Sequence, residues 1–109
     1  MRRGDIVLAA LPGDYGKPRP AVVVQSDWLN QGDCSSSVVC PMTSFETDLS
    51  RIRIALAPTS ENGLSARSEV MVEKLAAVPV RRLRRVIGRL DAAHMRRLDR
   101  ALLLVLGFA

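Results

Sequence analysis

Gly16-Lys17-Pro18-Arg19-Pro20-Ala21-Val22-Val23-Val24-Gln25-Ser26-Asp27 runs from a proline-stiffened loop into a β-branched segment that ends in polar side chains. Each proline fixes its own φ and pushes the residue before it toward extended backbone, so Arg19, lodged between two of them, has little conformational freedom. Residues 21–25 show no polar alternation and read as a strand buried on both faces. Upstream, residues 5–11 form a second β-rich run closed by Pro12-Gly13. Downstream, a polar connection through Asn30, Gln31, Gly32 and Asp33 leads to a third strand at 37–43. Pro41 within it suggests an edge or a bulge, since proline has no N–H to give a ladder. Residues 51–56 alternate, which directs Ile52, Ile54 and Leu56 inward and Arg51 and Arg53 outward. A turn-rich stretch containing Asn62-Gly63 precedes a fifth strand at 69–73.

Residues 79–83 read as a single helical turn and 84–90 as a short strand. Asp91 is then a good N-cap, and Met95, Leu98, Leu102 and Val105 recur at helical spacing, giving a helix over about 92–106. The expected fold is mostly β with a C-terminal helix, a small curled antiparallel barrel in one domain spanning 1–109. The second half of the helix, Leu102-Leu103-Leu104-Val105-Leu106, is apolar all round, more than a small domain can cover alone, so a second subunit is expected.

Sixteen Lys and Arg against eleven Asp and Glu give a net charge of +5, which favours a polyanionic partner. Cys34 and Cys40 have no further Cys or clustered His to complete a zinc set, so no metal and no cofactor is expected. The amino terminus lacks the apolar core of a signal peptide, and the run at 101–106 is far shorter than the ~20 residues that span a bilayer. A cytoplasmic protein without a membrane partner is therefore expected. The single histidine, His94, falls in the first helical turn as a surface or capping residue. No Walker loop, nucleophile elbow or Gly-rich dinucleotide turn occurs.

What remains is an inventory of arginines and hydroxyls on loops, which suits cleavage of RNA. RNA carries its own nucleophile in the 2′-OH, so an enzyme need only hold the phosphate, stabilise the pentacoordinate dianion and assist proton transfer. Arg19 is the best candidate for phosphate, with planar donors on a restrained backbone, although a structural salt bridge is an equal alternative at this point. Thr43, closing the third strand, has a hydroxyl for the same phosphorane, although threonine is also an ordinary β-former.

Arg3-Gly4-Asp5-Ile6-Val7, the 16–27 run and Val39-Cys40-Pro41-Met42-Thr43-Ser44 together resemble the MazF/PemK toxins, with weaker similarity through 68–75 to Leu90-Asp91. The resemblance implies an SH3-like barrel shared with CcdB toxins, a homodimer, and metal-free cleavage of single-stranded RNA at short motifs. It also implies 2′,3′-cyclic phosphate and 5′-OH ends and neutralisation by a cognate antitoxin through an acidic C-terminal segment. Arg19 and Thr43 match the catalytic arginine and threonine. Lys17, Gln25, Ser26, Asp27, Ser44, Arg51 and Arg53 are the candidate substrate contacts, with turn-fixing hydrogen bonds the other reading of Gln25, Ser26 and Asp27. Arg81, Arg82, Arg84 and Arg85 would meet RNA phosphates or the antitoxin tail. The loop at 12–18 looks short for the family and lacks the glutamate often found before the Arg-Pro pair. A non-enzymatic CcdB-like toxin that binds a topoisomerase is the alternative, since fold alone does not separate the two. A catalytically dead RNA-binding or antitoxin-sequestering paralogue is a third possibility.

Overall fold

Strand β3 (Ser36–Thr43) is the member on which the whole sheet is assembled, because it is paired along both edges and changes partner part-way. On one edge it meets β2 (Arg19–Val23) in antiparallel register, Val23 opposite Val39 and Ala21 opposite Pro41. On the other, its first half pairs with β6 (Ala76–Pro79) up to Val39, and its end pairs with β5 (Ser68–Met71) from Met42. The Val38 carbonyl accepts from Val24 N–H (3.0 Å), so even-numbered residues of β3 direct their backbone groups toward β2. Pro41, an odd-numbered residue, therefore turns its nitrogen into the gap between β6 and β5, where the missing N–H leaves no donor unpaired. The proline marks a change of partner inside a central strand.

The sheet order is β4-β5-β3-β2-β1-β7, with β1 at Asp5–Ala9, β4 at Arg53–Leu56 and β7 at Leu83–Arg89, all neighbours antiparallel. Two helices, α1 (Asp27–Asn30) and α2 (Ala92–Val105), and two 3-10 turns, Val72–Lys74 and Val80–Arg82, complete the chain; the computed structural model describes residues 1–109. The mostly-β architecture with a terminal helix is the one anticipated. Differences lie at the margins. β2 begins at Arg19, whose backbone joins the ladder opposite Ala9, so this arginine opens the strand rather than sitting in the loop. The single turn α1 and strand β6 were not expected, since four residues show no helical period and Ala76-Ala77-Val78-Pro79 lacks a β-branched signature. β6 exists because the first half of β3 offers it an edge.

Both faces of the sheet are buried, as the unbroken apolar run of β2 requires. Val22 and Val24 join a core with Ile6, Met42, Ile54, Val70 and, from α2, Leu98 and Ala101. Ala21 and Val23 point the opposite way, into a smaller core with Val7, Ala9, Val39 and Val78. Asp91 caps α2 by accepting from His94 N–H (2.9 Å), and Leu98 is fully buried, while Leu103, Leu104, Leu106 and Phe108 at its far end stay exposed. No helix is long and apolar enough to cross a membrane.

The curl brings the loop after β4 against β7: Arg89 N–H donates to the Glu61 carbonyl (2.8 Å), and the backbones touch at two glycines. A Cβ on Gly63, whose φ is +67°, would lie 1.9 Å from the Ile87 carbonyl oxygen, and one on Gly88 would lie 2.2 Å from the Asn62 carbonyl carbon. Neither obstacle is a flexible side chain. Gly88→Ala is accordingly expected to cost about 1–3 kcal/mol, measured as a lower urea midpoint at unchanged slope; an unchanged midpoint would mean that this closure yields freely.

Candidate active site

Arg19 opens β2 on the side of the sheet where the β1–β2 loop folds back, and the loop supplies its partner. Arg19 Nε and Nη2 donate to the two oxygens of Asp14 (2.8 Å each), and Nη1 donates to the Met42 carbonyl (3.3 Å). A guanidinium has five N–H donors; with three engaged, two are left for a ligand. The salt-bridge and ligand readings of this residue are therefore compatible, because side-on pairing with Asp14 fixes the plane of the group without exhausting it.

Because β2 and β3 are paired, the Arg19 guanidinium reaches the last peptide of β3, and Thr43 follows Met42 directly. The Thr43 Oγ1 accepts from Phe45 N–H (3.2 Å), which leaves its own hydrogen free to donate. Both side chains line one cleft of about 340 Å³, together with Lys17, Ser44 and Phe45. Buried Met42 and Leu64 contribute apolar surface, and Ser65, Ala66 and Ser68 form the side supplied by the segment that enters β5. Asn62 organises that side: its Oδ1 accepts from Thr59 N–H (2.9 Å) and Leu64 N–H (3.0 Å), and its Nδ2 donates to the Ala57 carbonyl (2.8 Å).

Of the residues singled out in the sequence, Arg19, Thr43, Lys17 and Ser44 converge here. Gln25, Ser26 and Asp27 do not, because they fasten the far end of β2. Gln25 is buried, donates to Asn30 Oδ1 (3.0 Å) and the Ser36 carbonyl (3.1 Å), and accepts from Val38 N–H (3.3 Å). Ser26 caps α1. Asp27 accepts from Arg3 N–H (2.7 Å), and that bond, with the Asn30 amide, holds its carboxyl below the ordinary range. The turn-fixing reading applies to these residues. Arg51 is exposed in the turn before β4, outside the cleft.

Arg53 does not project into solvent. Only 9% of its side chain is exposed; Nε donates to Glu73 (2.9 Å), and Glu69 lies 3.8 Å away. The hydrogen bond from Arg53 holds Glu73 below the usual glutamate range, and the Glu73 carboxylate raises the arginine in turn. The alternation that points Arg53 away from the core is correct, but its face is covered by the turn after β5. Arg81, Arg82, Arg84 and Arg85 are exposed on the second 3-10 turn and edge strand β7, with no carboxylate partner. The row Leu83–Ala9–Arg19 across β7, β1 and β2 sets that basic edge two strand spacings, roughly 10 Å, from Arg19.

Two cleft residues escaped the sequence reading. Asp14 looked like a loop acid, and only the fold-back of 12–18 shows it as the carboxylate of Arg19. Phe45 lies past the end of a strand with no periodic signal. His94 stands away from the cleft, its Nδ1 2.6 Å from Asp91 Oδ2, and the His94 backbone N–H is the main cause of the lowered Asp91 carboxyl. Cys34 is exposed; burial pushes the Cys40 thiol up to about 12.

Residues 2–106 match the family of PemK-like, MazF-like toxins of type II toxin–antitoxin systems. The chain belongs to this family. Among MazF-like relatives, a probable endoribonuclease MazF of Mycolicibacterium smegmatis is 46% identical over 111 residues, covering 100% of this chain and 99% of that one. Endoribonuclease MazF9 of Mycobacterium tuberculosis is 33% identical over 110 residues, covering 94% and 92%. A mycobacterial endoribonuclease solved in complex with its cognate antitoxin superposes with a TM-score of 0.84 at 18% identity, covering 100% and 97%, which establishes the shared MazF-like fold.

The Arg53–Glu73 pair is expected to make this MazF-like fold acid-sensitive. A glutamate held below its ordinary value of 4.5 contributes stability that is complete above that pH and is lost as pH falls through the depressed value. Glu73→Gln should lower the melting temperature at neutral pH and reduce its decline as pH falls below 4.5, a decline to which Asp27 and Asp91, also held below their ordinary values, contribute. Identical melting profiles for the two proteins would show that the pair does not stabilise the fold.

Proposed function

We propose that this chain is the toxin of a type II pair, an endoribonuclease that cuts single-stranded RNA at short sequence motifs without a metal. The observation that carries the reading is the convergence, in one cleft, of an arginine with two unengaged donors and a threonine whose hydroxyl hydrogen is free. The endoribonuclease names of its relatives, at up to 46% identity over the full chain, support the same reaction.

The chemistry follows from what the cleft offers. The RNA 2′-oxygen gives up its proton and bonds to the adjacent phosphorus while the bond from phosphorus to O5′ breaks and that oxygen gains a proton. The products are a 2′,3′-cyclic phosphate and a 5′-hydroxyl, with no water consumed. Charge accumulates on the non-bridging oxygens, and donors fixed before reaction stabilise it at no reorganisation cost. Arg19 supplies two such donors and Thr43 one, while Lys17 draws the phosphate in as a point charge. Arginine stays protonated across physiological pH, so Arg19 acts by charge rather than as a proton carrier.

The protein works in the cytoplasm as a homodimer that buries the exposed Leu103, Leu104, Leu106 and Phe108. The exposed arginines of β7 extend the binding surface for RNA, and an antitoxin with an acidic C-terminal segment competes for it.

Incubation with mixed-sequence RNA in EDTA should give discrete cuts with cyclic phosphate ends. Arg19→Ala should slow them on the order of a thousandfold, and Thr43→Ala should also slow them. Cleavage that needs added magnesium, or that survives Arg19→Ala at full rate, refutes the scheme. Asp14→Asn keeps the size of the loop residue but releases the guanidinium plane. Its expected signature is a fall of about a hundredfold in kcat with an unchanged melting temperature, and a kcat equal to that of the unaltered protein would remove Asp14 from the positioning of Arg19.

A further inference from the structure

Phe45 is 79% exposed, yet it is held in place. Its backbone N–H is tied to Thr43 Oγ1, the next residue Glu46 is ion-paired to Arg67 (3.2 Å), and Thr47 N–H and Oγ1 both bind Glu69 (3.4 and 3.2 Å). The segment is thus anchored on either side of the ring while the ring itself lies against water. An exposed phenyl forfeits the gain that burial would bring, and this one, unlike the exposed Trp28 and Phe108, lines a cleft beside cationic donors, which points to an occupant. The Phe45 N–H lies 3.2 Å from Thr43 Oγ1 and the ring only a few bonds from that nitrogen, so the ring stands roughly one nucleotide from the Thr43 hydroxyl. Lys17 and the two unengaged donors of Arg19 lie in the same cleft. A nucleobase whose own phosphate sits on Arg19 and Thr43 satisfies all of these groups together, whereas an apolar peptide side chain would leave the cations unserved.

Resting on the reading that the cleft cuts RNA, we infer that Phe45 is the stacking platform for the base beside the scissile phosphate. A phenyl ring has no donor or acceptor, and every base has a π-face, so stacking supplies affinity and orientation without choosing the base. Choice among bases then belongs to the hydroxyls of Ser44, Ser65 and Ser68 around the same cleft. The aromatic content of the chain is only 4%, and Phe45 is the one aromatic residue that lines the cleft.

The test measures cleavage of mixed-sequence RNA together with binding of a fluorescent, fully 2′-O-methylated mixed-sequence oligonucleotide pool, whose blocked 2′ oxygens prevent turnover. Phe45→Ala and Phe45→Leu should each weaken binding by about ten- to a hundredfold and raise KM correspondingly with little change in kcat. Phe45→Trp should restore both, and in a Trp28→Phe background its emission should be quenched by the pool. Leucine that performs as well as phenylalanine would make the side chain a generic apolar contact, and alanine without effect would exclude it from the site; either result overturns the proposal. So does a change of oligomeric state by light scattering with RNA binding intact, which would assign the ring to a second copy of the chain. If the unaltered protein cuts no RNA but binds the pool through Phe45, the cleavage reading falls and the stacking platform stands. If it binds nothing, both fall.

Discussion

The pairing of β2 with β3 is the interaction on which the candidate site depends. The register that sets Val23 against Val39 and Ala21 against Pro41 brings the first residue of one strand beside the last residues of the other. Arg19 therefore meets the Met42 carbonyl, and Thr43 comes next. A slip of one residue would exchange the two buried faces of β2, and both faces carry cores, so the register is fixed from each side. β3 also has to end beside β5 rather than β6, and the N–H missing from Pro41 lets the strand change partner without leaving a donor stranded. The juxtaposition of Arg19 and Thr43 is in this sense a by-product of how the sheet is knitted.

The polar groups at the opposite end of β2 do a different job. Gln25 and Asn30 satisfy one another and the backbone of β3, Ser37 Oγ donates to Asn30 Oδ1 (3.0 Å), and no buried side-chain N or O atom lacks a partner. A closed network of this kind stabilises only while every member is present. The Arg-Gly-Asp opening serves the same end of the sheet, since Asp5 accepts from Arg89 (2.6 Å) and Arg3 donates to Asp99 (2.7 Å). Two conspicuous motifs of the sequence are thus spent on holding termini together.

How far the sequence could be read follows from where the determining contacts lie. The two-faced β2 run, the cap at Asp91 and the helical spacing of Met95, Leu98, Leu102 and Val105 are local signals, and the elements they predict are present. β6 was hidden because its pattern is weak and its stability is borrowed from β3, a partner almost forty residues earlier. Arg19 stood out from its place between two prolines, but only the family resemblance, not the residue types alone, set it and Thr43 apart from a structural salt bridge and an ordinary strand threonine. Asp14 and Phe45 belong to loops, whose path is set by what they pack against. Alternation along β4 gave the direction of Arg53 correctly and its surroundings wrongly, because a strand pattern carries no record of a turn that folds over its outer face.

Arg53 and Arg19 are chemically identical, both bound to carboxylates, and the contrast between them explains why only one is available. Arg53 is enclosed between Glu73 and Glu69 from neighbouring segments, with 9% of its side chain exposed. Two carboxylates around one guanidinium leave a net negative charge, which repels a phosphate. Arg19 has a single acid, Asp14, and 36% exposure, and its remaining donors open into the cleft that Thr43 lines. Pairing with one carboxylate takes two of its five donors and sets the plane in which the two unengaged ones lie. A second acid near Arg19 would convert the site into another structural clamp, so the absence of any further carboxylate among the cleft residues is what keeps this arginine free for a phosphate.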